Sequence, residues 1–577
     1  MLNVAALVAS CLCYDVQFAG VDDPMLVQSM RDASQLVSLQ DRPPASINGL
    51  RYRAAEDVPK LLQVLRAYSY YDAEVSYEIA PEEGGYLVSF SIAPGTPYPL
   101  ESYRIFHQNR CVEPFQVASP CELGLTLGKP PISTELVNAE LSLLSELANA
   151  GYPLAEIDRR KIEVDLMNKT VQASVCVEEG PFSHFGPTTL FGLSSVAPRY
   201  ILRKVAWKEG EIYDANQIEE TQRRLLRSNL FSSVLISHAE QLDDQGELPI
   251  KMRLTEAKHK TVNVGIFFAT VNGPGISAGW SDRNLRGMGE IIDVDGEIAT
   301  YAADITAIYT KPDFLGYDQA YKAVAAFSWE NIDPYTALSY RVANYIEKTI
   351  HDNQIISAGI KLEQVHISDS AENGSFFLIG LPIFGKISTA DTLLNPTRGY
   401  SLVYQGTPYQ SFEESHARFV KQRLTYCFYF PVWKPDYLVL ALRTQFGSIA
   451  GAKRKDIPLT KLFLGGSEDD LRGYRYQTVS PLDGDNKPLG GRSAVFTTAE
   501  LRWRMTRTIG IVPFVDLGTV TDSEIPQFNT KWYKSLGIGL RYFAFFGPLR
   551  FDIGFPLDPR KGVDPKFKLY ASVGQTF

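Results

Sequence analysis

The chain is short of basic clusters, of long apolar runs and of the side chains that hold metals. Lys and Arg total 57 against 66 Asp and Glu, a net charge of -9, and no segment concentrates the cations. That excludes nucleic acid as the main partner, because phosphate recognition demands a basic face. Past the first residues there is no run of about 18 apolar side chains, which excludes a helical membrane span. A strand-built span is untouched by this test, since a membrane strand needs only about ten residues of alternating character. The six cysteines (Cys11, Cys13, Cys111, Cys121, Cys176, Cys427) form no CxxC pair and have no His at ligand spacing, so no zinc site and no cofactor is expected.

What is there favours strands. Met and His number only 7 each, whereas Tyr and Phe number 30 and 31, and aromatics pack well on pleated surfaces. The length of 577 residues demands several cores. Residues 1 to 13, MLNVAALVASCLC, carry no Lys or Arg and read as the apolar part of an export signal whose basic start lies upstream. Val8-Ala9-Ser10-Cys11 also matches a lipoprotein cleavage box. In an exported chain Cys111 and Cys121, ten residues apart, are candidates for a disulfide; two unrelated thiols is the other reading.

From residue 14 to about 257 a strand, helix, strand order recurs three times at a spacing of about 80 residues. In the first copy a helix over 54–67 precedes Tyr68-Ser69-Tyr70-Tyr71 and strands over 73–79 and 86–92. In the second, a helix over 136–150 precedes Gly151-Tyr152-Pro153 and strands over 161–164 and 171–177. The third opens on strand-like 185–192, runs a helix from Ala215 to about Ser228 with Ile218 and Leu225 on one side, and turns at Asn229-Leu230-Phe231. Each copy resembles a POTRA domain, a β-α-α-β-β unit, although Ser69 stands where that family has Gly. This gives boundaries of 14–97, 98–181 and 182–257, with proline-bearing joints at 94–98 and 178–182 acting as stiff elbows.

From residue 258 to 577 the helical period gives way to alternation. In 261–268 Val262, Val264, Ile266 and Phe268 face one way and Thr261, Asn263 and Gly265 the other; in 566–577 Phe567, Leu569, Ala571, Val573 and Phe577 share a face that Gln575 breaks. Apolar toward lipid and small or polar toward a lumen is the pattern of a transmembrane antiparallel β-barrel, here of about 16 strands at roughly 20 residues each. A final strand must pair somewhere, so the first strand is its expected partner.

The segment Phe463 to Tyr476, FLGGSEDDLRGYRY, resembles the lumen loop of the BamA-type barrel superfamily. The resemblance implies that Arg472, Gly473 and Tyr474 form a tip folded into the lumen, with Arg472 between Glu500 (in AELR) and Asp516 (in PFVDLG). Asn284 to Gly287, Asn395 to Tyr400, Gly537 to Arg541 and Gly547 to Asp552 are similar to other signatures of that superfamily. Three POTRA-like units and this length look most like its TamA branch.

What the resemblance implies is a protein of the bacterial outer membrane with POTRA units in the periplasm. It would insert, or help secrete, β-barrel and autotransporter-type proteins through a lateral gate at Val264, Gly265, Ile266, Val573, Gly574 and Phe577. Expected partners are outer-membrane lipid, unfolded clients joining by β-augmentation, and an inner-membrane-anchored TamB-like protein reached through the POTRA arm. A two-partner-type secretion pore and a lipid-transport component remain alternatives. No enzyme is expected: no nucleophile with its base, phosphate loop or paired acid is present, and His351, His366 and His416 sit in no catalytic setting.

Overall fold

The computed structural model of the protein describes residues 12–82, 85–107, 118–269, 272–351, 353–413, 416–434, 437–545, 547–573 and 577. The chain divides into two compact units, one of residues 1–192, 201–227 and 233–255, the other of 193–200, 228–232 and 256–577.

The first unit is built on three small sheets. The first copy runs β1 (Tyr14–Ala19), α1 (Pro24–Ala33), α2 (Gln35–Ser38), α3 (Ile47–Ala67), β2 (Glu74–Glu82) and β3 (Gly85–Ala93). The second runs β4 (Leu100–His107), α4 (Ser133–Asn149), β5 (Glu156–Asp165) and β6 (Thr170–Glu178). The third runs β7 (His184–Phe191), α5 (Pro198–Lys204), α6 (Ala215–Arg227), β8 (Phe231–His238) and β9 (Glu247–Glu256). The strand orders are β1-β3-β2, β4-β6-β5 and β7-β9-β8, one topology three times, with the opening strand parallel to the last.

The sheets share a local device. The helix before each hairpin ends in a left-handed residue: Ser69 at φ 66°, Gly151 at 99° and Asn229 at 56°. Asn adopts that region readily and Gly freely, but Ser does so at a cost. Ser69 is buried and its hydroxyl donates to the carbonyl of Pro131 at 2.5 Å, which compensates the departure from Gly. The poorly patterned stretch before residue 54 is itself helical, because α3 begins at Ile47. Its Asp57 carboxylate accepts from the N–H groups of Gln35 and Leu36 at 2.9 Å and from the Ser34 hydroxyl at 2.7 Å, satisfying the start of α2 as a cap does. Leu50, Leu61 and Leu65 on the same helix are fully buried against Val88 and Phe90, each stabilising by about 1.5–3 kcal/mol.

One cysteine expectation is corrected here. Cys121 carries a free, exposed thiol, and it is Cys176 on β6 that is disulfide-bonded. Cys111 lies outside the described residues. Cys176 stands opposite Phe106 of β4 in the sheet register.

The second unit is one antiparallel sheet of seventeen strands. They are β10 (Lys260–Ala269), β11 (Gly273–Asp282), β12 (Ile291–Ala299), β13 (Ala302–Lys311), β14 (Gln319–Ile332), β15 (Tyr335–His351), β16 (Gln354–Ser368), β17 (Gly374–Gly380) and β18 (Ile383–Ser388). Then follow β19 (Gly399–Ser411), β20 (Arg418–Trp433), β21 (Leu438–Ala450), β22 (Ser493–Arg504), β23 (Ile509–Thr521), β24 (Tyr533–Ala544), β25 (Gly547–Pro556) and β26 (Lys568–Val573). The count exceeds the expected 16 because of Leu381-Pro382. Here β17 and β18 both lie between β16 and β19 in one unbroken register, interrupted where proline cannot donate to the ladder.

Burial in this sheet is inverted relative to a water-soluble protein. On β24 Leu536, Ile538, Leu540 and Tyr542 are exposed, while Ser535, Gly537, Gly539 and Arg541 are buried. On β10 Val262, Val264 and Ile266 are 71%, 80% and 89% exposed. Such a sheet suits a hydrocarbon solvent on its outer face. Its inner face wraps the 451–492 connection, with Leu471, Tyr474 and Val479 of that segment packed among Tyr335, Phe376, Phe419 and Phe496. The edge strands β10 and β26 each have one sheet neighbour; the expected pairing of last strand with first does not occur among the described residues.

Candidate functional site

The loop between β21 and β22 reverses tightly because one carboxylate organises it. Asp470 accepts from the N–H groups of Gly466 at 2.8 Å, Ser467 at 2.7 Å and Leu471 at 2.5 Å. The turn delivers Arg472 to the inner face at 1% exposure. Its Nε and Nη2 fork onto Asp516, both at 2.8 Å, and its Nη1 reaches Glu500 at 2.8 Å and Asp552 at 2.9 Å. The guanidinium also lies 3.3 Å from the centre of the Phe514 ring. The structure thus brings Arg472, Glu500 and Asp516 together.

The sequence reading missed the rest of the network. Asp552 is the third acid, and it also accepts from Arg541 and from Arg550 at 2.7 Å, while Glu500 accepts from Arg502 at 3.0 Å. Three guanidinium groups and three carboxylates on β22 to β25 are therefore knitted together with the Arg472 guanidinium of the loop. The signal was available: Asp552 shares a face with Arg550 and Gly554 on a strand whose other face, with Phe551, Ile553 and Phe555, is apolar, so it had to point inward.

Gly473 and Tyr474 bind the tip to the wall. Gly473 sits at φ 94°, and a Cβ there would stand 2.9 Å from the backbone of Gly554, so only glycine permits the approach. Its N–H donates to the Tyr570 hydroxyl on β26 at 2.9 Å. The Tyr474 hydroxyl donates to the carbonyl of Lys534 at 2.8 Å and accepts from that residue's N–H at 3.2 Å, and Arg475 forks onto Asp333 at 2.7 Å. Through Tyr570 the loop touches the last strand directly.

The gate residues divide. Val264 and Ile266 stand exposed on β10, and Gly265 lies between them, its missing Cβ leaving room for the Ser277 hydroxyl. On the other side Val573 ends β26 opposite Leu549, and Gly574 lies outside the described residues. Phe577 departs from the expected apolar outer face. Its ring stacks on Tyr429 at 6.3 Å beneath the guanidinium groups of Arg443 and Arg502, at 5.0 and 4.9 Å, and its carbonyl accepts from Arg502 at 2.9 Å. Those partners sit on β20, β21 and β22, so Phe577 is held on the inner face, remote in the sheet order from β10. The cations of the inner wall attract an aromatic face, a contact that alternation alone does not foresee.

A connection at the foot of the same unit is held by one acid. The Glu256 carboxylate accepts from the N–H groups of Ser194, Ser195 and Val196 at 2.7 to 3.0 Å and from the hydroxyls of Ser194 and Ser195. Burial acts to raise its pKa, but the Ser195 hydroxyl and the backbone donors outweigh it and hold the carboxyl well below its ordinary 4.5. Asn284 joins the cluster by donating to the carbonyl of Ser195 at 3.1 Å.

Comparison with known proteins places this architecture. The family model of the Omp85 superfamily domain matches residues 284–577. The outer membrane protein assembly factor BamA of Nitratidesulfovibrio vulgaris is 23% identical over 540 residues, covering 88% of this chain and 66% of that protein. Its counterpart in Neisseria meningitidis serogroup B is 22% identical over 501 residues, covering 75% and 61%. The chain thus spans under two thirds of the length of these curated relatives. A crystal structure of BamA from Haemophilus ducreyi lacking POTRA domains 1–3 superposes with a TM-score of 0.71 at 17% identity, covering 83% of this chain and 100% of that one. With its repeated α/β units, its inverted sheet and the family match over that sheet, the chain belongs to the Omp85 superfamily, as an outer-membrane protein with periplasmic POTRA-like units.

Proposed function

We propose that the protein is an outer-membrane assembly and translocation factor of TamA type, which inserts or helps secrete β-barrel and autotransporter-type clients through a gate between β10 and β26. The observation that carries the reading is the pair of sheet edges. Both β10 and β26 present a row of backbone donors and acceptors without a sheet partner among the described residues, and β26 is only six residues long beside the 17 of β15. An unpaired edge is a template for an incoming strand. The first strands, β10 to β13, are 9 or 10 residues long against 14 to 17 in β14 to β16, and a short wall lowers the cost of thinning the adjacent lipid. No bond is made or broken.

The curated relatives are named as outer-membrane assembly factors, which supports the assembly role. Three sheets of one topology support the TamA branch over longer arms. Their edge strands β2, β5 and β8 suit an inner-membrane-anchored TamB-like partner docking by strand addition. The outer-membrane proteome of a depleted strain tests the proposal: barrel proteins and autotransporters should fall together. Loss of one exported partner alone, or a changed lipid balance with barrels intact, overturns it.

A further inference from the structure

The Arg472 network leaves unexplained a second charged region of the inner face. A cavity of about 700 Å³ is lined by β12–β16, by β18–β20 and by the 451–492 connection. Four cations line it, Lys322, Lys421, Arg423 and Lys461, against two acids, Asp293 and Glu347. Lys322 is paired with Glu347 at 2.8 Å, and Lys461 with Glu363 at 2.8 Å, an acid that Lys361 shares at 3.3 Å. Lys421 and Arg423 have no carboxylate within 4.0 Å among the described residues; their charges rest on the ring of Phe463, at 5.0 and 5.8 Å. Alongside them the Thr460 hydroxyl is buried with no hydrogen-bond partner.

Lys421 is half-buried and Arg423 exposed on this lining; cations that face a cavity inside a membrane protein mark ligand or ion sites, and a buried hydroxyl left unsatisfied is costly. Two cations and an orphan hydroxyl on one cavity wall are satisfied together by a ligand that only accepts hydrogen bonds. We infer that this chamber binds a compact anion bearing two or more phosphate groups, with Arg423 forking two oxygens, Lys421 a third and Thr460 donating to another. An acidic peptide fits less well, because it would also bring backbone N–H groups that need acceptors, and of the nearby acids Glu347 and Glu363 are engaged by lysines, which leaves Asp293. The inference stands independently of the assembly reading.

The test is calorimetric titration of inorganic pyrophosphate into the full chain in neutral detergent at low salt. Saturable binding to one site is expected, weakened about tenfold or more in a Lys421→Gln, Arg423→Gln double variant by loss of its charge-assisted contacts and unchanged in Lys260→Gln, which lies on β10 away from the cavity. Retention of the heat-dependent gel shift of a folded barrel shows that the double variant is intact; should it fail to fold, Thr460→Val, expected to weaken binding without touching a charge, replaces it. A second arm with phosphatidic acid micelles distinguishes a free anion from a lipid headgroup of the same chemistry. Absence of saturable pyrophosphate binding, equal binding by wild type and a folded cavity variant, or tighter binding of an oligoaspartate peptide overturns the inference.

Discussion

Arg472 illustrates how one side chain organises many without adding net stability. Desolvating a guanidinium and three carboxylates costs several kcal/mol per ion, which the ion pairs only offset. Removing one partner is another matter. In Arg472→Ala, Glu500 keeps Arg502 and Asp552 keeps Arg541 and Arg550, but Asp516 loses its only cation and retains just two neutral donors, the backbone N–H of residue 472 at 3.1 Å and the Ser535 hydroxyl at 3.3 Å. The substitution should therefore destabilise by about 3–5 kcal/mol, and Asp516→Asn in the same chain should recover part of it; thermal loss of the heat-modifiable form measures both. Glu256 gives a prediction in pH. Its folded pKa is depressed, so its contribution is fully present above 4.5 and is lost as pH falls below that value toward the folded one. Protection of residues 194–200 from proteolysis should decline from pH 6 to pH 3 in the wild type. In Glu256→Gln it should be lower throughout and nearly flat.

At the scale of the element, the three left-handed helix ends recur where the side chains differ. Ser69, Gly151 and Asn229 perform one turn, and a β-branched residue there clashes with its own carbonyl. Asn229→Val should lower stability by about 1–2 kcal/mol, whereas Asn229→Gly should change it by a few tenths; denaturant midpoints of the soluble arm or thermal unfolding of the whole chain decide. The alternation that located the strands was legible because lipid and lumen demand opposite chemistry on successive residues. Strand ends and the break at Leu381-Pro382 were not, since they depend on which neighbours supply hydrogen bonds.

For the whole molecule the decisive question is whether clients pass through the proposed gate between β10 and β26. A disulfide joining Ile266→Cys to Val573→Cys should abolish client assembly and be relieved by reductant, provided the seam opens sideways; undiminished assembly in the oxidised form would count against the gate. The Tyr570 hydrogen bond to Gly473 and the seat of Phe577 on Tyr429 both tie the C-terminal residues to the inner face.

The sequence by itself determined the division into repeated α/β units and an alternating sheet, because burial periodicity is local and each residue carries its own preference for water or lipid. It also named Arg472, Glu500 and Asp516 through a recognisable loop. Only the tertiary structure decided that Asp552 completes the network, that Cys176 and not Cys121 is bonded, that Phe577 turns inward, and that Lys421 and Arg423 share a cavity. Each of these joins positions distant along the chain. Such contacts are set by strand register and by how a sheet curls, and neither is encoded in the spacing of residues along one strand.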